Sequence, residues 1–375
     1  MISSLLRSYS KSVKSSQVNQ IRLWLGSLLL PVVLLFITTG CAQQGQQTPA
    51  KNKAGTMQQQ TFQNPVIDSD FPDPGIIQDG NYYYSYATNA AGKNIQVARS
   101  SDLVHWEMLS DALPALPSWA VQGGSYVWAP DVIKIGNQYV MYYTLRDSQT
   151  NVQCVSVAVS DKPDGKFKDS STKPFICQPD QGGTIDPSPF RDGDKLYLYF
   201  KNDGNSIGLT TYIWVQELSA DGLSLIGKPA QLIHNDQNWE GNLVEAPNMF
   251  KHNGKYYLFF SANSYADESY AVGYALCQSP TGPCQPAAEN PVLASQMKKS
   301  PFVIGPGGQT LFQLGDQTWI IYHAWNTNAD GSRGDSRCMW LDRVTWQDDK
   351  PHIQGPTTQP QPVPSVKGSQ GELAR

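Results

Sequence analysis

The sequence predicts an all-β protein, a five-bladed β-propeller, and three observations carry that prediction. Aromatic residues make up 11% of the 375 residues, with 18 Tyr and 10 Trp, whereas charged residues are only 16%. The aromatics gather in short runs separated by Gly, Pro, Asn and Asp, which is the pattern of strands and turns. One unit also recurs five times from Phe62 onward. It opens as DGNYYYSYAT from Asp79, IGNQYVMYYT from Ile135, DGDKLYLYF from Asp192, NGKYYLFFSA from Asn253 and LGDQTWIIYHAW from Leu314. The turn glycines Gly80, Gly136, Gly193, Gly254 and Gly315 stand 56, 57, 61 and 61 residues apart. Each unit has room for about four strands, the content of a propeller blade, and five such units close into a ring more readily than they stack. A two-sheet sandwich with coincidental spacing is the competing architecture.

The first forty residues are of another kind. Arg7, Lys11, Lys14 and Arg22 precede the apolar run from Leu23 to Ile37, which Gly26, Ser27 and Pro31 interrupt and which is short for a membrane span. Residues 1–40 therefore read as an export signal. Thr38, Thr39 and Gly40 stand before Cys41, an arrangement that resembles a bacterial lipoprotein processing site with Cys41 as the lipidated N-terminus. Ordinary cleavage nearby is the alternative. Residues 41–61, rich in Gln, Gly and Lys, form a flexible tether. Residues 62–358 form the propeller, and 359–375 a disordered tail.

Removing the signal takes away four of the 28 basic residues and leaves 24 against 32 acids, a net charge of −8. With no basic cluster, nucleic acid is excluded as a partner, and a membrane is contacted only through the lipid anchor. A neutral polymer fits better. An exported chain can oxidise its cysteines. Cys277 and Cys284 enclose a Pro-Gly turn and are the first candidate bridge, with Cys154 and Cys177 next, leaving Cys338 unpaired and buried.

Three acids stand in apolar surroundings next to proline or one residue from it: Asp73 in FPDPGI, Asp186 in TIDPSPF and Glu245 in VEAPNMF. They precede the turn glycines by similar intervals, so all three fall at the start of a first strand, the strand that lines a propeller's central channel. Two carboxylates across a pocket are the minimum for glycosidic hydrolysis, one giving a proton to the leaving oxygen and one activating water or attacking carbon. A third, close to the acid, keeps it protonated by like-charge repulsion. Three carboxylates could instead bind Ca²⁺, but the neighbours here are Pro, Ile and Phe rather than further oxygen ligands.

In this order and on this repeat, FPDPGI, VWAPDV, TIDPSPF, VEAPNMF and YHAW resemble glycoside hydrolase family 43 over residues 62 to 358. Position by position, the resemblance implies an inverting hydrolase. Asp73 is its general base, Glu245 its general acid, and Asp186 the third acid that sets the pKa of the general acid and orients it. It makes Trp128 a sugar-stacking wall, Arg337 a substrate contact and Phe190 a further substrate-binding residue. His323 becomes a channel histidine that helps hold one Ca²⁺ or Na⁺ through the ion's water shell. Inter-blade packing for Trp128, a solvated arginine and a hydrogen-bonded core histidine are the plain alternatives. One departure stands out: the fifth blade reads GPGGQ, with Gly308 where many members have histidine.

The wording around VEAPNMFKHNGKYYLFFSANSY looks most like exo-acting α-L-arabinofuranosidases working on α-1,5-arabinan, and implies a plant cell-wall polysaccharide or oligosaccharide containing arabinose or xylose. A β-xylosidase or endo-arabinanase of the same family is the nearest alternative. A non-catalytic sugar-binding propeller would need no acid triad, and a retaining fructosidase would show Asn-Asp-Pro at the first acid. The loops 110–124 and 233–242, carrying Trp119 and Trp239, are candidates for closing one end of the cleft.

Overall fold

The computed structural model describes residues 60–365 except Ser125 and Lys299. The export signal, Cys41 and nearly all of the tether lie outside them. Five antiparallel sheets follow one another along the chain. Strand β1 (Thr61–Phe62) precedes the first blade, β2 (Gly75–Asp79), β3 (Tyr82–Ala87), β4 (Gln96–Ser100) and β5 (Glu107–Met108). The second blade has three strands, β6 (Trp128–Ile135), β7 (Gln138–Arg146) and β8 (Gln153–Ser160). The third comprises β9 (Thr184–Asp192), β10 (Lys195–Asn202), β11 (Tyr212–Leu218) and β12 (Leu225–His234). The fourth comprises β13 (Val244–His252), β14 (Lys255–Ala262), β15 (Ala271–Cys277), β16 (Cys284–Pro286) and the short β17 (Leu293–Ala294), which pairs with β15. The fifth comprises β18 (Ile304–Leu314), β19 (Gln317–Thr327), β20 (Arg333–Gln347) and β21 (Lys350–Ile353).

The innermost strands touch in cyclic order, β2 with β6, β6 with β9, β9 with β13, β13 with β18, and β18 with β2 again. This closes the ring. Among the described residues the buried apolar side chains fall into five clusters, one in each wedge between neighbouring blades. Because each sheet is covered on both faces, its strands read as continuous apolar runs rather than as alternation. The YYYSYA run of β3, buried at all but its first residue, shows this.

The expected disordered tail is corrected at its start. Strand β22 (Gln361–Pro362) pairs antiparallel with β1. Gln361 is buried and donates from Nε2 to the Leu341 carbonyl and to Asp342 Oδ1. A polar segment gains an ordered place because its amide satisfies a buried carboxylate. Cys154–Cys177 and Cys277–Cys284 are disulfide-bonded, and Cys338 is free and buried.

One backbone feature positions the site. At the entry of each inner strand a residue adopts a left-handed conformation: Asp73 (φ 56°), Ala129 (φ 43°), Asp186 (φ 56°), Ala246 (φ 49°) and Gly308 (φ 58°). Each stands seven residues before the first turn residue of its blade, Gly80, Gly136, Gly193, Asn253 or Gly315. For an L-residue this conformation costs about 1–2 kcal/mol, and in four of the blades the next residue is proline, which fixes the exit direction. The ladder slips beside these corners, between Trp128 and Asp131, between Glu245 and Asn248, and on both sides of Gly307. Bulges of this kind re-aim side chains. Here they turn one or two residues per blade toward the axis.

Candidate active site

Asp73, Asp186 and Glu245 come together in one cavity of about 680 Å³, which Trp128 and Arg337 also line. Asp73 and Asp186 occupy the left-handed corners of the first and third blades. Glu245 sits one residue before the corner of the fourth, the position that Trp128 holds in the second. The three acids therefore enter from separate blades at one level of the axis.

Asp73 is tightly held. Its Oδ2 accepts the Thr88 hydroxyl at 2.6 Å, and Thr88 Oγ1 in turn accepts the Ala129 N–H at 2.8 Å. Its Oδ1 lies 3.6 Å from Arg337 Nη1 and 3.3 Å from His323 Nδ1. Burial alone would raise its pKa. The Arg337 guanidinium, with the Thr88 hydroxyl, outweighs that and holds the carboxyl well below the usual range.

Asp186 goes the opposite way. Burial, and then the neighbouring Glu245 carboxylate, push its pKa up strongly against the opposing pull of Lys201. Its Oδ2 accepts the Ala246 N–H at 2.9 Å, so it grips the backbone directly after Glu245. The two environments thus push the two carboxyls in opposite directions, Asp73 toward its ionised form and Asp186 toward its protonated one.

Glu245 has both oxygens engaged, Oε1 by the Tyr270 hydroxyl at 2.8 Å and Oε2 by the Lys201 ammonium at 3.0 Å. Sequence reasoning missed both donors. Lys201 leaves a trace, as a lysine inside the apolar run LYLYFK, whereas Tyr270 is one tyrosine among many. Asn89, Asp203, Asn205 and Tyr265 also line the cavity and were not foreseen. The side-chain oxygens of Asn89 and Asn205 are buried without a hydrogen-bond partner among the described residues, so they are free to accept hydroxyl groups of a ligand.

The remaining expectations fare differently. Arg337 lies over the rings of Tyr265 at 5.0 Å and Trp325 at 5.8 Å, building one wall. Trp325 is buried and donates its indole N–H to the Tyr265 carbonyl. Phe190 does not reach the cavity. It is 1% exposed in the wedge between the third and fourth blades, edge-on to Tyr199 and Tyr256. Four residues along a strand from Asp186 amount to about 13 Å, which carries it away from the mouth. Trp119 and Trp239 are packed in the wedge clusters, Trp239 against Phe260, while the loop 233–242 reaches the cavity through Asn242.

His323 is fully buried, and burial lowers its pKa, keeping the ring neutral. Its Nδ1 accepts the Asp73 N–H at 3.1 Å. A Cβ on Gly308 would lie 2.6 Å from that Nδ1 and 2.8 Å from Asp73 Oδ1, so the His323 ring fills the space that a side chain at 308 would take. Among the described residues no three His, Cys, Asp or Glu side chains are grouped to hold a metal ion. A hard cation asks for six or more oxygens, and Nδ1 is already bonded to the backbone of Asp73. The side chains here do not fit a directly held Ca²⁺ or Na⁺, and no step below runs through one.

Comparison with known proteins agrees with this geometry. The profile of "Glycosyl hydrolases family 43" matches residues 62–351. The chain is 28% identical over 271 residues to the "Probable arabinan endo-1,5-alpha-L-arabinosidase A" of Aspergillus flavus, covering 67% of this chain and 80% of that one. It is 28% identical to the "Beta-D-galactofuranosidase xynD" of Aspergillus niger, covering 83% and 88%. Among solved structures, a thermostable family-43 glycoside hydrolase superposes with a TM-score of 0.73 at 33% identity, covering 81% of this chain and 99% of that one. The family profile reaches into all five blades and includes all three acids of the cavity, so the chain belongs to glycosyl hydrolase family 43.

Proposed function

We propose that this glycoside hydrolase cleaves α-L-arabinofuranosyl linkages with inversion, acting on α-1,5-arabinan or arabino-oligosaccharides from the chain end. The observation that carries the reading is the convergence of Asp73, Asp186 and Glu245 on one cavity with opposite proton affinities at the first two. Asp73, kept ionised, is the general base that takes a proton from water as it attacks the anomeric carbon. Glu245 is the acid that protonates the departing oxygen. Asp186 grips the backbone beside Glu245 and, by sharing the local negative charge, favours the proton's presence on the pair. Trp128 is the stacking wall for the sugar ring. The arabinan-directed relative supports the choice of sugar. Cys41 is the lipid anchor that tethers the enzyme at the cell envelope, among plant cell-wall fragments.

Internal cleavage is a second reading, favoured by the endo-acting name of that same relative and by the shape of the site. A further cavity of about 560 Å³, lined by Asp70, Lys93, Asn94 and Gly124 among others, meets the first at Asn89. A polymer could therefore continue past the acids. Proton NMR of hydrolysis on aryl α-L-arabinofuranoside, aryl β-xyloside and linear arabinan tests the readings together. Inverted arabinose released first from arabinan supports the proposal, and early oligosaccharides support internal cleavage. Retention of configuration would overturn the mechanism.

The pH profile gives a second check. Asp73 has a depressed pKa, so it stays ionised below the ordinary aspartate value of about 3.9 and is lost only as the pH falls through its lower one. The acid limb of kcat/KM is therefore expected below about pH 4. A limb at pH 5 or above would show that another group, or an unperturbed carboxylate, acts as the base.

A further inference from the structure

Lys201 lies in β10, the second strand of the third blade, opposite Ile185 of the inner strand. Its side chain is 0% exposed, and it is not among the residues that line the cavity. A buried ammonium is costly unless it is paired. Two carboxylates pair with it: Glu245 Oε2 at 3.0 Å and Asp203 Oδ1 at 3.7 Å. One of them, on the reading given above, must change its charge in every turnover.

We propose that Lys201 is the fixed counter-charge of the general acid, a positioning residue that stabilises the Glu245 carboxylate as its proton passes to the leaving oxygen. Lys201 touches no substrate and acts through Glu245 alone. When Glu245 carries its proton, Asp203 remains as the anion that keeps Lys201 from standing unpaired. When Glu245 has given the proton away, the ammonium is already in contact with the charge that has appeared, inside a pocket where water cannot supply the same stabilisation. The Tyr270 hydroxyl on the other oxygen favours the same state. The remaining charged or titratable groups around Glu245 are Asp186 and Asp73, with Arg337 and the neutral His323 standing beside Asp73. Burial pushes the Lys201 pKa down, but Glu245, Asp203 and Asp186 outweigh it and keep the side chain charged.

The inference rests on Glu245 being the acid, and Lys201→Met tests it. The paired variant K201M/D203N removes the ammonium and its second partner together, so that no orphaned carboxylate threatens folding. In both, the alkaline limb of kcat/KM is expected to move up by about one pH unit or more, because a cation in contact with a carboxylate favours its ionised form. Hydrolysis of linear arabino-oligosaccharide, whose leaving group needs the proton, should fall more than that of an aryl arabinofuranoside with an acidic phenol. In a Glu245→Gln background, Lys201→Met should add no further loss. An alkaline limb that stays in place in either folded variant, or equal losses on both substrates, would overturn the proposal, since a merely structural lysine would lower the melting temperature and leave the limb alone. A wild-type enzyme silent on every glycoside would sink the underlying reading instead.

Discussion

Glu245→Gln is expected to lower kcat/KM on linear arabinan by about 10³-fold while sparing much of the activity on an aryl arabinofuranoside with a good leaving group. The amide keeps the shape and can still meet Tyr270 and Lys201, whose contacts at 2.8 and 3.0 Å hold the side chain in place, but it has no acidic proton to give. General acid catalysis is typically worth 10²- to 10⁴-fold, and the need for it scales with the basicity of the departing oxygen. Steady-state kinetics on the two substrates reads out the difference directly. If the variant lost the same factor on both, Glu245 would not be the proton donor and the assignment of roles would have to be redrawn.

Asp73→Asn should be the more severe lesion, with losses of about 10³- to 10⁴-fold on every substrate whatever its leaving group. Water must be activated in either case. The asparagine can still receive the Thr88 hydroxyl and leave its own N–H on His323 Nδ1, so the corner keeps its geometry while the charge opposite Arg337 disappears. Circular dichroism separates chemistry from misfolding here. A folded variant that kept more than a tenth of its activity on the aryl substrate would remove Asp73 from the role of base.

The fold was legible in the chain because the turn glycines recur at nearly equal intervals and every blade repeats the same Tyr-rich second strand. A ring of sheets covered on both faces needs such strands, and few other architectures do. The acids were legible for a different reason: a carboxylate flanked by Pro and apolar residues is conspicuous at Asp73, Asp186 and Glu245. What lay beyond reach came from the apposition of blades. Tyr270 reaches Glu245 from the loop before β15, and Lys201 from a second strand; sequence spacing says nothing of either approach. Phe190 shows the reverse error, since its place on the same strand as Asp186 says nothing about how far the strand carries it from the axis. The tail was misjudged because Gln361 is ordered by two distant acceptors, the Leu341 carbonyl and Asp342, that no local pattern announces.

The five left-handed corners have a further consequence. Two carry acids, two carry alanine and one carries glycine, yet the backbone is nearly the same at all five. The scaffold thus behaves as a set of interchangeable sockets around one hole, in which the reagent can be exchanged without rebuilding the holder. Ala129, already bent as Asp73 and Asp186 are, is a vacant socket: a side chain grafted there would enter the ring at the level of the existing chemistry, and the strain of the bend is already present in the native chain.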